Sequence, residues 1–337
     1  MKPFVVVAII SLIIGTFQND LFHTPKGWPA PVYDFKKNPL KEEIIYLGRA
    51  LFYDPMLSKD GTISCASCHS PFSAFTHVDH ALSHGIHDSI GRRNSPALMN
   101  LAWHKQFMWD GAIHHLDVQA LAPISHPAEM GSSISEVVTT LQKTEKYRTQ
   151  FKKAFGSEEI TGEKTLKAIS QFLLTLVSCD SKYDRWKKGE VEFSTQEQKG
   201  YALYQSYCSS CHREPLFSNY EFKNNGLQPD PSLNDAGRAE ITHNPADSFQ
   251  FKVPTLRNIE YTYPYMHDGR FEKLSEVMNH YGNLNQNHSF LSPELQKLIQ
   301  LSPNEKIDLI AFLLTLSDKN FVFNKNFQYP HDFFNTK

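Results

Sequence analysis

Cys65-Ala66-Ser67-Cys68-His69 and Cys208-Ser209-Ser210-Cys211-His212 are the two stretches that decide how this chain folds. Each reads C-x-x-C-H, the attachment pattern of a c-type haem. Two thiols three residues apart fall on one helical face, where both can form thioethers to the vinyl groups of one porphyrin. The adjacent histidine then brings its imidazole to the iron as proximal ligand. Other chemistries that use paired cysteines fit less well. A thioredoxin-like dithiol belongs to a βαβ pattern that this sequence lacks, and it needs no trailing histidine. A zinc site needs its second pair near the first, whereas these pairs stand about 140 residues apart. The fifth cysteine, Cys179, follows an apolar helix-like run and reads as a small, partly buried residue.

Outward from these motifs the chain repeats itself. Gly48-Arg49-Ala50-Leu51-Phe52 precedes the first motif as Gly200-Tyr201-Ala202-Leu203-Tyr204 precedes the second. Pro96-Ala97-Leu98-Met99-Asn100 aligns with Pro254-Thr255-Leu256-Arg257-Asn258. Without a gap, Phe107-Met108-Trp109-Asp110-Gly111 then aligns with Tyr265-Met266-His267-Asp268-Gly269. Phe172-Leu173-Leu174-Thr175-Leu176 recurs as Phe312-Leu313-Leu314-Thr315-Leu316. The shared order is helix, haem motif, P-x-L-x-N, D-G turn, closing helix. It predicts a mainly α fold of two tandem cytochrome c-like domains, each with one covalently bound c-type haem. Apolar periodicity predicts helices over Lys41–Tyr53, Ser135–Leu141 and Lys164–Val177. Ser194-Thr195-Gln196-Glu197 is a capping box for a helix running to Tyr207, and Ser302-Pro303-Asn304-Glu305 opens the final helix. The charged stretch from Tyr183 to Glu192 marks the domain boundary.

The 337 residues, 40% apolar, suffice for two packed cores and a leader. A net charge of −2 gives no basis for binding nucleic acid. Lys2, the uncharged apolar run Phe4–Ile14 and the polar Gln18-Asn19-Asp20 read as an export signal. The expected layout is a signal peptide over 1–18, an N-terminal haem domain over 19–187 and a C-terminal haem domain over 188–337. Phe17 departs from a small-x-small cleavage site, so an uncleaved anchor stays open as the one route to a membrane. A periplasmic location agrees with the haems, because c-type maturation takes place outside the cytoplasm.

Beyond the haem motifs, Gly91-Arg92-Arg93-Asn94-Ser95-Pro96, Trp109-Asp110-Gly111, Gln119, Pro123 and Glu129-Met130 resemble the N-terminal domain of bacterial di-haem cytochrome c peroxidases. Pro254-Thr255-Leu256-Arg257-Asn258 and Pro264-Tyr265-Met266-His267-Asp268-Gly269 resemble their C-terminal domain. The resemblance implies that His69 is proximal ligand of a peroxidatic haem, with Gln119 and Glu129 on its open distal side. It implies that Trp109 lies between the haems and that His212 is proximal ligand of an electron-transfer haem. It further implies a calcium ion between the domains, held by Asn94, Thr262 and Pro264, mostly through carbonyl oxygens.

The second ligand of the electron-transfer haem separates the branches of this superfamily. Classical peroxidases place a methionine fourteen residues after the histidine of the H-x-G turn; from His267 that count lands on Tyr281. A tyrosine there resembles the MauG-like branch, and tyrosinate, a harder donor than thioether, favours ferric iron. Met278 and His280 are the alternatives. Classical peroxidases also carry a displaceable distal histidine ahead of the R-N-S-P string. His77, His80, His84 and His87 lie there, none in clean register, so an open haem is expected and the four are read as loop residues. The enzyme that names the MauG-like branch has a tryptophan two residues before its second haem motif; here that position is Ser206, so activity on the same protein partner is not implied.

Three functions follow from these parts. One is reduction of hydrogen peroxide, with electrons from a small cytochrome c or cupredoxin passing through the C-terminal haem. Another is MauG-like oxidation of a protein or small organic substrate. The last is non-enzymatic electron carriage, against which Gln119 and Glu129 argue, since a carrier needs no distal acid. The oligomeric state stays open, a homodimer included.

Overall fold

In each half of the chain the helix ahead of the haem motif crosses the closing helix. Glu42–Tyr53 lies against Gly162–Thr175, and Thr195–Tyr207 lies against Pro303–Leu314. The same contact sets both crossings. A Cβ added at Gly48 would stand 1.9 Å from the Ala168 carbonyl oxygen, and one added at Gly200 would stand 1.9 Å from that of Asp308. Only glycine lets these backbones meet, because any side chain would occupy the space of a main-chain carbonyl. The computed structural model describes residues 21–285, 290–297 and 299–335; the expected signal peptide lies outside them.

The helices are delimited by local chemistry. Glu42–Tyr53 ends where Asp54 and Pro55 leave the helical region, and the Asp54 carboxylate accepts from the Met56 amide at 2.8 Å. Ser194 and Glu197 form the expected capping box, as do Ser302 and Glu305. Ser302 does not open the final helix, however: Lys319–Val322 and His331–Asn335 follow it. Ile134–Lys143 is succeeded by Glu145–Phe155, a lysine-rich helix whose Tyr147 and Phe151 face inward. Among the described residues the sheet content is one antiparallel pairing of Phe222–Lys223 with Phe251–Lys252. The molecule is thus mainly helical, and long loops carry the rest of the chain.

Two apolar cores result. The first gathers Leu47, Leu51, Phe52, Phe75, Phe151 and Phe172; the second gathers Tyr204, Phe217, Leu309, Phe312 and Leu316. Each buried large apolar side chain contributes roughly 1.5–3 kcal/mol. The asparagine of each P-x-L-x-N string closes its domain in the same way. Asn100 N donates to Leu176 O at 2.8 Å and its Oδ1 accepts from Ser178 N at 2.9 Å. Asn258 N donates to Leu316 O at 3.0 Å and its Oδ1 accepts from Asp318 N at 2.7 Å. Both asparagines adopt positive φ, 56° and 58°, which this residue type tolerates better than most.

The halves are laced together. The expected boundary at Tyr183–Glu192 is itself partly helical, Lys182–Lys187, and Tyr183 and Trp186 pack on the second core. The Arg257 guanidinium, fully buried, pairs with both oxygens of Asp184 at 2.8 and 2.7 Å and lies 4.7 Å from the ring centre of Trp28, near the other end of the chain. Phe321, Val322 and Phe333, late in the second half, sit in the first core. The boundary therefore divides the sequence more sharply than it divides the packing.

Gly48→Ala should lower stability by about 1–3 kcal/mol, the usual cost of overpacking a close contact, and urea denaturation checks it. An unchanged midpoint would show that the two helices have room to separate.

Candidate active site

Cys65–Cys68 forms a single helical turn capped by Ser64, and His69 leaves the helical region at φ −135° and ψ 70°. The His69 Nδ1 lies 2.8 Å from the Phe75 carbonyl oxygen. His212 Nδ1 lies 3.2 Å from Phe217 O and 3.1 Å from Pro254 O. A proton on Nδ1, donated to these carbonyls, leaves the Nε2 lone pair for a metal. Burial pushes both imidazoles down to about 4, so both are neutral at physiological pH.

No disulfide joins the four motif cysteines. Burial pushes Cys65 up to about 12, Cys68 to about 11 and Cys208 to about 12, and raises Cys211 also. A redox dithiol requires a lowered thiol, so this electrostatic setting opposes that chemistry. Among the described residues no three His, Cys, Asp or Glu side chains converge as a metal site, which leaves zinc without a ligand set. Paired neutral thiols beside a buried imidazole with a free Nε2 fit a covalently held haem in each half.

Glu129 stands over the first motif. It is close enough to Cys65 and Cys68 for its charge to raise both thiols. Burial raises its own carboxyl above the usual range, against a smaller lowering from His126. The loop around it is fixed: Glu129 N donates to His126 O at 3.0 Å, and Glu129 O accepts from Ile86 N at 2.8 Å. Gln119 ends the short Leu116–Gln119 helix, and its Nε2 lies 3.5 Å from Met108 Sδ, next to Trp109 in the chain. No hydrogen bond joins Gln119 to Glu129 among the described residues.

Trp109 is gripped by both halves. Its Nε1 donates to Asn94 O at 2.8 Å, and its carbonyl accepts from Lys252 N at 2.7 Å. Asn94 N in turn donates to His267 O at 2.7 Å. Of the residues expected to hold calcium, Asn94 has its carbonyl taken by Trp109 and its Nδ2 directed at Ala81 O, 2.9 Å away. Its remaining donor is the side-chain Oδ1. Ala81 and Pro264 both line a cleft of about 320 Å³ between the halves, together with Asp79 and Glu272. Neutral oxygen donors beside a cleft that admits water suit a hard cation.

Tyr281 lies in the Leu274–Gly282 helix, near enough to Cys208 and Cys211 for them to add to the rise that burial imposes on its hydroxyl, up to about 12; the Asn225 side chain pulls it down. Met278 is buried in the second apolar core. His280 has its Nε2 3.0 Å from the Asn225 carbonyl oxygen. Of the three, Tyr281 is the one whose hydroxyl lies near enough to Cys208 and Cys211 to be influenced by both.

The loop histidines are more ordered than a loop reading implies. His77, His80 and His84 stack in series, with ring centres 5.3 and 4.1 Å apart and planes 26° and 11° apart. His77 Nε2 is buried without a partner, while its Nδ1 meets Ser67 O at 3.2 Å. His84 O accepts from Cys68 Sγ at 3.3 Å, and His87 pairs with Asp60 at 3.7 Å. Sequence reasoning also passed over His104, Tyr220 and Lys252, half-buried polar residues between the halves whose only signal is that Lys252 stands two residues before Pro254.

Comparison with known proteins agrees with this geometry. Residues 42–192 match the model of the di-haem cytochrome c peroxidase family, and residues 197–317 match that of cytochrome c. The methylamine utilization protein MauG of Methylorubrum extorquens is 36% identical over 88% of this chain and 83% of its own length. The cytochrome c551 peroxidase of Nitrosomonas europaea is 35% identical over 94% of this chain and 92% of its own. A crystal structure of a MauG-like protein associated with microbial copper homeostasis superposes with a TM-score of 0.82 at 34% identity, covering 91% of this chain and 98% of that one.

Proposed function

The chain belongs to the di-haem cytochrome c peroxidase family, and on that premise we propose that it is an exported, periplasmic peroxidase reducing hydrogen peroxide to water. Two covalently bound c-type haems are its cofactors, attached at Cys65/Cys68 and Cys208/Cys211, with His69 and His212 as proximal ligands. A haem held by His69 would supply the redox chemistry of O–O cleavage, and one held by His212 would supply a relay for electrons from a small redox protein. The reading rests above all on Glu129, a desolvated carboxyl beside the first haem motif. Such a carboxylate takes the proton from one peroxide oxygen and returns it to the other, so that water is the leaving group. A raised proton affinity suits both halves of that transfer. Gln119 has an amide with which to orient peroxide, and Trp109, hydrogen-bonded to both halves, is the aromatic between the two haem domains. Among the described residues no helix is long and apolar enough to cross a membrane.

Tyr281 favours a second reading, in which the oxidising equivalents are spent on a protein or small organic substrate. A tyrosinate on the second haem holds ferric iron and disfavours the reduced state that a peroxidase draws on for its electrons. The burial of Met278 and the engaged Nε2 of His280 support Tyr281 as that ligand. A calcium ion held by Asn94, Thr262 and Pro264 fits either reading, since it would brace the junction where Asn94 meets Trp109 and His267.

Stopped-flow turnover of peroxide with a reduced donor tests the first reading. Glu129→Gln should slow it by about 10²-fold or more with both haems retained, and undiminished turnover would remove Glu129 from the mechanism. Tyr281→Phe should change the ferric spectrum of one haem only. A methionine-to-iron charge-transfer band in the wild type would instead assign Met278. Chelation should lower activity and perturb the haem spectra, with recovery on adding calcium; active protein free of calcium by elemental analysis would exclude the ion.

A further inference from the structure

Three half-buried polar side chains between the halves are short of hydrogen-bond partners. Neither ring nitrogen of His104 has a hydrogen bond, nor has the Tyr220 hydroxyl, and the two rings lie 4.1 Å apart. Lys252 Nζ donates once, to Gln106 O at 2.9 Å, and pairs with no carboxylate among the described residues. Its charge is felt at His104, and Asp110 is the acid that acts on it from a distance. Burial pushes Lys252 down to about 7 and His104 well below its usual value. A desolvated cation, an orphaned imidazole and an orphaned hydroxyl in one place are each unfavourable unless an acceptor meets them. An anion would satisfy all three.

The position of the cluster says which anion. Lys252 stands two residues before Pro254, whose carbonyl receives the His212 imidazole, and Tyr220 stands eight residues after His212. Their segments are tied together where Ser218 Oγ, which accepts from Tyr220 N at 2.9 Å, donates to Val253 O at 2.6 Å. The cluster thus flanks the proximal side of the second haem motif, and the Lys252 amide reaches Trp109 O. A haem c carries two carboxylates of its own, the propionates, on the edge away from its thioethers.

We propose that Lys252, His104 and Tyr220 form the seat of a propionate of the second haem, so that one side chain of the first half and two of the second close on a single carboxylate. The inference rests on the two-haem reading above. It makes Lys252 a positioning residue with two effects. Its ammonium offsets the propionate charge near the iron, and His104 links that carboxylate to the half that carries the other haem. The seat adjoins Trp109, so the charge at the junction and the potential of the second haem are set by the same contact.

Holoprotein carrying Lys252→Met, and separately Tyr220→Phe, tests this by spectroelectrochemical titration and resonance Raman spectroscopy, with haem counted by pyridine haemochrome. A unit charge roughly 10 Å from the iron, at an effective dielectric of about 20, is worth about tenfold in the equilibrium between reduced and oxidised haem. Lys252→Met should therefore lower the reduced-to-oxidised ratio of the second haem about tenfold at the wild-type midpoint, with less effect on the first. Tyr220→Phe should shift a propionate bending band and leave the axial-ligand bands in place. Two haems per chain with unmoved potentials and unmoved propionate bands would overturn the seat alone. A wild type without two covalent haems would overturn the reading on which it rests.

Discussion

The imidazole of each haem motif is committed, through its Nδ1, to main-chain carbonyls of its own half, and the rest of the site depends on that commitment. For His69 the acceptor is Phe75 O; for His212 it is Phe217 O and Pro254 O. The bond selects the tautomer and holds the ring plane, leaving the Nε2 lone pair for a metal. It also anchors Phe75 and Phe217, which are fully buried members of the two cores. Ligand geometry and core packing are therefore one constraint: a shift of the carbonyl would disturb both.

The duplication carries this constraint twice and varies what surrounds it. Both halves keep the glycine-to-carbonyl helix crossing and the asparagine that fastens the closing helix. Both also place a methionine at positive φ in the D-G turn, Met108 at 67° and Met266 at 76°. Each of those sulfurs receives a side-chain amide, from Gln119 at 3.5 Å and from Asn225 at 3.4 Å, though the two amides come from unrelated segments. The scaffold is common and the polar groups aimed at it are not. The first half sets a desolvated carboxyl, Glu129, by its haem motif; the second sets a phenol, Tyr281, by its own.

Between the halves, burial makes every polar group consequential. Arg93 bridges Asp110 of its own half and Asp235 of the other, at 2.5 and 2.6 Å. Arg257 pairs with Asp184 while stacking near Trp28. Charges so placed are strongly destabilising if one partner is lost, so the junction resists sliding. Trp109 sits inside this frame, its indole nitrogen and its carbonyl held by Asn94 and Lys252.

What was legible in the sequence was local or repeated. The C-x-x-C-H spacing prescribes its chemistry within five residues, and the capping boxes at Ser194 and Ser302 are complete within four. The recurrence of P-x-L-x-N and D-G in one order announced two copies of one helical domain. Tertiary structure alone decided which groups meet. Met278, His280 and Tyr281 span a single helical turn, and no periodicity separates their surroundings; in the fold Met278 packs into the second core and His280 Nε2 meets Asn225 O. The imidazole stack of His77, His80 and His84 comes from a loop whose path is set by contacts with Ser67, Cys68 and Glu129, all remote in sequence from its far end. His104, Tyr220 and Lys252 converge from three segments, and the return of Phe321 and Phe333 to the first core crosses the whole chain. Such contacts leave no pattern in the order of residues, because burial and desolvation act on neighbours in space.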